Sequence, residues 1–460
     1  MDTPASSRPR RGDELTLTID SLAHGGAGVA RLDGYVLFVQ GGIPGDTVRA
    51  VVGKSKRAYA EARVLEVLKP SPDRVAPVAD HPGAPWQVIP YEQQLQIKQQ
   101  QVDDSLRRIG KLDGFELEPI VPAVEQWRYR NKVEYSFGTD PADSDKPVAE
   151  RRVICGFHAP GHWEEIVEIS DCKLVSEANN RAREEVVAWC REQGFSAYDR
   201  RTSEGFLRNL VVREARRTGE LQVRLVTCAG KLDADSFSAA VPSAKSLLWT
   251  QIDSVGETTM GGRTELINGS EQIDEQIGGM TVGISAEAFF QTNTEMAERL
   301  YALAVEYAQL GGFERLYDLY CGIGTIGMLM APRAAELWGL EIVEDAIADA
   351  LKNARRNEID NAHFFAGDVR LVLRELVERA GRPDVLVVDP PRAGLSQKVV
   401  RRIIEAAPKR IVYVSCNPTT LAPNAAQLVE AGYELIKVRP VDMFPQTPHV
   451  EAVAQLIRRA

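Results

Sequence analysis

The sequence predicts an α/β protein in three blocks: an N-terminal OB-like β-barrel, a mixed α+β middle and a C-terminal Rossmann-like, doubly wound sheet. Short β-rich runs between Leu15 and Leu68, broken by glycine-rich turns, predict the barrel. From Ile284 onward strand and helix patterns alternate and the strands are continuously apolar, which predicts a mostly parallel sheet covered on both faces. The length of 460 residues, 44% of them hydrophobic, supplies buried cores for several domains.

In chain order, residues 1–12, MDTPASSRPRRG, read as a flexible tail. Residues 13–70 hold the runs LTLTID, YVLFVQ, TVRAVV and AYAEARVLEVL, separated by turns such as HGGAG and GGIPGD. Residues 71–283 combine a helix, YEQQLQIKQQQVDDSLRRIG, with strand-like KVEYSFG, LVVREA and LQVRLVT, and GTDPADSDKPVAERR reads as a polar surface insertion. Residues 284–460 carry LYDLY, ELWGLEI, AHFFAGD, DVLVVDPP and RIVYVSCNP, each followed by a helix, and then a last β pair.

A net charge of -10 argues against a protein that coats nucleic acid by bulk charge, while leaving room for a local basic groove. The 6 cysteines lie far apart without a CxxC pair, which points to a reducing compartment. The N-terminus has no apolar core of a leader, and no apolar run is long enough to span a bilayer. The expectation is a soluble cytoplasmic monomer with no membrane contact.

The strongest local signal is Asp318-Leu319-Tyr320-Cys321-Gly322-Ile323-Gly324-Thr325-Ile326-Gly327, a strand running through a glycine turn into a helix. Gly322 and Gly324 let the backbone approach a ligand, and Gly327 permits close helix packing. Glu341, about 20 residues after the turn, is placed to accept the hydroxyls of a ribose. These features fit a dinucleotide equally well. Asp368, ending the third strand, suits an adenine contact, and Asp389-Pro390-Pro391-Arg392 ends the fourth. That combination points to S-adenosylmethionine, seated beyond the carboxyl ends of the strands.

The fifth strand ends in Ser415-Cys416-Asn417-Pro418, which sets Cys416 on the same rim as the cofactor turn. Cys321 is its competitor and reads as a buried thiol beneath the ligand. Glu451 opens the terminal strand, where partial burial raises a carboxyl toward the range of a working base, and His449 is the second candidate. Carbon 5 of a pyrimidine does not attack a sulfonium methyl group unaided. Thiolate addition to carbon 6 activates it, and a base then removes the proton from carbon 5.

With these motifs in order, DLYCGIGTIG, DPPRAG, VSCNP and TPHVE, the chain resembles the RNA uracil-5-methyltransferases, which make 5-methyluridine from S-adenosylmethionine. The resemblance extends over nearly the whole chain. HGGAGVARLDGYVLFVQGGIPGDTV resembles a TRAM domain, an OB-like RNA-holding barrel, and Tyr129-Arg130-Asn131-Lys132-Val133-Glu134 resembles the family's central domain. It implies that the helix at about 91–110 packs with the catalytic block. By the same resemblance Cys416 is the nucleophile and Glu451 the proton acceptor, while Gln291, Tyr320, Gly322, Gly324, Thr325, Glu341, Asp368 and Asp389 hold the cofactor. Thr325 stands where relatives often have Asn.

Many members hold an iron–sulfur cluster on four cysteines; here the stretch reads Asp80-His81-Pro82-Gly83-Ala84-Pro85-Trp86-Gln87, and Cys172 alone matches a ligand. No cluster and no metal are therefore expected. RNA is the expected partner, contacted by the barrel face, Arg130 and Lys132, with the target base unpaired or flipped out. The TRAM segment favours 23S ribosomal RNA over the T-loop of transfer RNA. Rival readings are an RNA cytosine-5-methyltransferase and a non-catalytic RNA-binding or assembly factor. The SCNP frame, with Glu451 far downstream, argues against the first, and intact Cys416, Glu451 and glycine turn against the second.

Overall fold

A computed structural model describes residues 8–254 and 256–459. Residues 1–7 of the expected tail lie outside the described residues. The next residues run along the first domain, where Gly12 N donates to Val52 O at 2.8 Å.

The N-terminal sheet comprises β1 (Glu14–Thr18), β2 (Ser21–Leu22), β3 (Gly28–Leu32), β4 (Tyr35–Gln40), β5 (Thr47–Ser55) and β6 (Tyr59–Lys69), ordered β1-β5-β6-β4-β3-β2. Val48, Ala50 and Val52 alternate inward along β5 and close a core with Leu17, Leu37 and Val39, as the two-residue period requires. Among the described residues no ladder seals this sheet into a complete barrel. The first stretch of chain serves both edges instead: it bends at Ile19 and Asp20, so that β1 pairs with β5 and β2 with β3.

The middle of the chain opens with α1 (Tyr91–Asp104), widening into a π-type turn over Ser105–Ile109, and β7 (Glu116–Leu117). It continues with β8 (Lys132–Thr139), β9 (Val153–Ala159), β10 (His162–Glu168), α2 (Glu177–Glu192), β11 (Leu207–Glu214), β12 (Leu221–Thr227), α3 (Ala234–Ala240), β13 (Ser246–Gln251) and β14 (Arg263–Gly269). The strands form one sheet ordered β10-β9-β8-β11-β12-β13-β14, over which α2 packs through Val186, Trp189 and Cys190. β7 does not belong to it. It pairs in parallel with β22 (Tyr433–Val441) at the far edge of the C-terminal sheet, and α1 packs beside it.

The rest comprises a hairpin, β15 (Gln272–Ile277) and β16 (Met280–Ser285), then α4 (Thr294–Ala308), β17 (Arg315–Leu319), α5 (Thr325–Met330), β18 (Glu336–Glu341) and α6 (Glu344–Arg356). After these come β19 (Ala362–Ala366), α7 (Val369–Ala380), β20 (Val385–Val388), α8 (Gln397–Ala406), β21 (Arg410–Ser415), α9 (Pro418–Glu430), β22 and β23 (Glu451–Arg458). The sheet order is β19-β18-β17-β20-β21-β23-β22-β7. The first five strands are parallel and β23 runs against both its neighbours. Leu316, Val387, Val412 and Val453 face α4, α5 and α6 in one core, whereas Tyr317, Leu386, Ile411 and Ala452 face α7, α8 and α9 in the other. The winding reverses between β17 and β20, which opens a crevice at their carboxyl ends.

Candidate active site

β17 leaves the sheet through a turn that only special backbone geometry allows. Tyr320 has φ +63, Gly322 +54 and Gly324 +84, while Tyr320 N donates to Leu340 O at 2.9 Å. A Cβ at Gly324 would stand 3.0 Å from Phe364, and one at Gly327 would stand 2.7 Å from Asp318 Oδ2, which accepts Gly327 N at 2.9 Å. Gly322 has open space in front of it, and Thr325 begins α5, buried.

Around this turn the strand period does the sorting. Two residues on from Leu316, Leu337 or Val387, each still on the face toward α4, are Asp318, Gly339 and Asp389, and Glu341 follows Gly339. Asp318 is buried and its Oδ1 has no hydrogen-bond partner among the described residues. Burial first, then Asp389 and Glu341, push its carboxyl up to about 8. Burial alone pushes Asp389 up to about 7. Glu341 accepts Gly322 N at 3.3 Å and Ile342 N at 2.8 Å. Asp368 caps α7 and is clasped by Arg370, the contact that holds its carboxyl below the ordinary range. Gln291 lies buried on the loop before α4, fixed by Asn131 Nδ2 donating to Gln291 O at 2.8 Å. An orphaned buried carboxylate oxygen beside an open glycine turn is a cradle that a cationic, ribose-bearing ligand fits.

Cys416 and Glu451 meet through sheet register. β21 and β23 are antiparallel, with Val414 opposite Val453 and Ser415 opposite Ala452. Just beyond this last pair, Cys416 in the bend that ends β21 and Glu451 at the start of β23 lie within electrostatic reach of each other and of Asp389. Cys416 is half-buried and immediately precedes Asn417, the N-cap of α9, whose Oδ1 accepts Thr419 N at 3.1 Å. Burial, Glu451 and Asp389 push its thiol up to about 11, against the pull of Arg392. Glu451 is buried and pushed up to about 8, by burial first and Asp389 second, with Arg392 opposing. Tyr301 of α4, also buried, lies in the field of Asp389, Asp318 and Glu451.

The loop that delivers Glu451 is tied from several sides. Lys98 of α1 donates to Asp442 at 2.5 Å, and neither side chain is exposed. Tyr91 donates to Asp442 at 2.8 Å, Gln94 to Gln446 at 2.8 Å, Tyr129 to Pro445 O at 3.1 Å and Asn293 to Met443 O at 2.9 Å. His449, the second candidate base, has Nδ1 3.5 Å from Arg392 Nη2, and burial followed by Arg392 lowers it to about 4.

Of the two expected RNA contacts, Arg130 projects over the Tyr129 and Phe444 rings, 5.9 Å from each centroid, beside this loop. Lys132 turns elsewhere: its ammonium pairs with Glu134 at 2.7 Å. The sequence marked Arg392 only as part of the Asp-Pro-Pro-Arg strand exit, without a role, and gave no local signal at His24. His24, in the turn between β2 and β3, lies against Arg392 and the Asn417 carboxamide. The residues around Cys172 do not fit a cluster held by four thiolates. His81 Nδ1 accepts Gly83 N at 3.0 Å, so its Nε2–H points at Cys172 Sγ, 3.1 Å away, inside a packed core with Ala84.

Residues 269–459 match the tRNA (Uracil-5-)-methyltransferase family and residues 8–65 the TRAM domain. The chain is 39% identical over 457 residues to an RNA methyltransferase of Halalkalibacterium halodurans, covering 97% of each protein. It is 39% identical over 459 residues to one of Bacteroides thetaiotaomicron, covering 95% of this chain and 99% of that protein. Among solved structures it resembles the Pyrococcus abyssi tRNA (uracil-54, C5)-methyltransferase in complex with S-adenosyl-L-homocysteine. The TM-score is 0.79 at 30% identity, over 96% of this chain and 99% of that one.

Proposed function

The chain belongs to the S-adenosylmethionine-dependent RNA uracil-5-methyltransferase family and carries an N-terminal TRAM domain, and from that premise we propose that Cys416 and Glu451 methylate carbon 5 of one uridine in 23S ribosomal RNA. The observation that carries this reading is the β21–β23 register, which brings a thiol and a buried carboxyl together on the rim of the cofactor crevice. When bound, S-adenosylmethionine supplies a methyl group on a sulfonium centre. Glu341 and Asp368 would hold its ribose and adenine end, while Asp318, Asp389, Gln291, Tyr320 and Thr325 would line the remainder.

Cys416 adds to carbon 6 of the uracil ring, forming a carbon–sulfur bond and an enolate. Carbon 5 then gains the methyl group. Glu451 takes the proton from carbon 5, the ring double bond reforms and the thiolate leaves. The Cys416 backbone N–H and Arg392 favour the thiolate there, against burial and two carboxylates. With 5-fluorouridine RNA and S-adenosylmethionine, a stable protein–RNA adduct at Cys416 is expected, because fluorine blocks the final elimination. Absence of an adduct, with no methyl transfer by either the wild type or Cys416→Ala, would point to the non-catalytic RNA-binding reading.

The likeness to the Pyrococcus abyssi enzyme, which spans every block of this chain, favours a second substrate, the transfer RNA T-loop. Mapping 5-methyluridine in ribosomal and transfer RNA from cells lacking the gene separates the two: the position that loses its methyl group is the substrate.

A further inference from the structure

The mouth above Cys416 gathers two guanidiniums and an imidazole, one from each block, in a chain whose net charge is -10. Arg392 is exposed, carries no ion pair among the described residues, and is anchored by its backbone, Asn417 Nδ2 donating to Arg392 O at 3.2 Å. Arg130 likewise carries no ion pair among the described residues, and its Nε is buried without a partner. Lys98 is neutralised by Asp442 and Lys132 by Glu134, so neither adds free charge. The third group comes from the TRAM domain. Its turn is pressed onto the catalytic loop: Gln101 donates to Ala23 O at 3.2 Å, and a Cβ at Gly26 would stand 2.9 Å from Pro448 and 3.1 Å from Trp86 Nε1. That contact delivers the exposed His24 beside Arg392 and Asn417.

We propose that Arg392, His24 and Arg130 form a seat for the RNA phosphodiester flanking the uridine that enters over Cys416. The seat rests on the reading of Cys416 as the methylation site. A guanidinium without an acid partner, half-ringed by imidazoles and a second guanidinium, is built for an anion, and the backbone of a flipped-out nucleotide must pass this point. His24 and His449 both have lowered pKa values, by burial first and Arg392 second, so both imidazoles stand neutral beside that guanidinium. The seat exists only when the TRAM domain is docked, which makes that domain part of the site and not a tethered grip.

The test uses the full chain and fluorescein-labelled dodecauridylate, with affinity measured across a KCl series. Arg392→Ala is expected to weaken binding roughly tenfold and to reduce the salt slope by about one. His24→Ala with Arg392→Ala should weaken binding further with little further change in slope at pH 7.5, where the imidazole is neutral, while Arg392→Lys keeps most of the slope. S-adenosyl-L-homocysteine affinity and melting temperature should be unchanged in these variants, since both side chains are exposed. An oligouridine with neutral methylphosphonate linkages should bind wild type and Arg392→Ala equally weakly. Unaltered affinity and slope in the double variant would overturn the seat, as would a tenfold loss on the neutral oligomer, which would mean a base contact. These measurements need no methyl transfer, so loss of the seat with an intact 5-fluorouridine adduct is distinguishable from loss of the adduct, which would remove the catalytic reading on which the seat rests.

Discussion

Glu451 is buried beside Asp389 and close to Cys416, and the nearest opposing charge is the exposed Arg392. Its folded pKa of about 8 lies above the ordinary carboxyl value, so the group is ionised only above that pH. A base that must be a carboxylate to accept the carbon 5 proton therefore gives an elimination step that climbs about tenfold per pH unit below pH 8 and levels above it, while Cys416, its thiol pushed up to about 11, keeps addition rising with pH. Single-turnover release of 5-methyluridine RNA between pH 6 and 9 checks this. Glu451→Gln should still form and alkylate the adduct yet fail to eliminate, so covalent protein–RNA complexes are expected with ordinary uridine RNA on a denaturing gel. Asp318 offers the opposite test. Its raised folded pKa means that the folded state holds a proton the unfolded chain releases, so it costs stability as pH rises from about 4 through about 8. Asp318→Asn should raise the melting temperature at pH 8 by about 3 °C or more while weakening S-adenosylmethionine binding. The residue types at these positions were legible from the sequence. Lys132 was not, because the Glu134 that pairs with it is two positions along β8 on the same face, and only the fold showed that no other ion-pair partner among the described residues draws the ammonium away.

At the scale of elements, α1 acts as a brace. It lies in the first quarter of the sequence, yet Tyr91, Gln94 and Lys98 secure the loop preceding β23. The Lys98 and Asp442 pair is fully buried, and removing one partner leaves an uncompensated charge. Lys98→Ala should cost about 3–5 kcal/mol in urea unfolding, whereas Lys98→Met with Asp442→Leu should recover most of that loss. If the double variant is as unstable as the single one, Lys98 acts through packing and not charge. The helix itself was readable from its apolar spacing; its polar face was not readable as a brace. Gln94, Lys98 and Gln101 look like solvated positions in a pattern, and they are buried because the loop wraps over them. The barrel shows the same limit. Its strands follow from alternation in β5 and its neighbours, while the bend at Ile19 and Asp20, which lets one stretch serve both edges, is set by pairing with β3 and β5.

Over the whole molecule, three blocks converge on one crevice. The cluster position is filled by packing: His81 donates to Cys172 between the rings of Phe157 and Tyr135 and the loop that carries Trp86 to Gln446. Iron and acid-labile sulfide in anaerobically purified protein are expected far below one equivalent per chain, and stoichiometric iron would contradict this. Among the described residues no helix is long and apolar enough to cross a membrane. The sequence by itself determined the order of the blocks, the glycine turn, the methyl donor and the residue types of the nucleophile and base, because periodicity and turn chemistry are properties of near neighbours. Only the tertiary structure decided that Cys416 meets Glu451, that Lys132 is consumed by an ion pair, and that His24 stands beside Arg392. Those facts depend on strand register and domain docking, which are fixed by burial of cores assembled from distant segments, and no local window of sequence contains them.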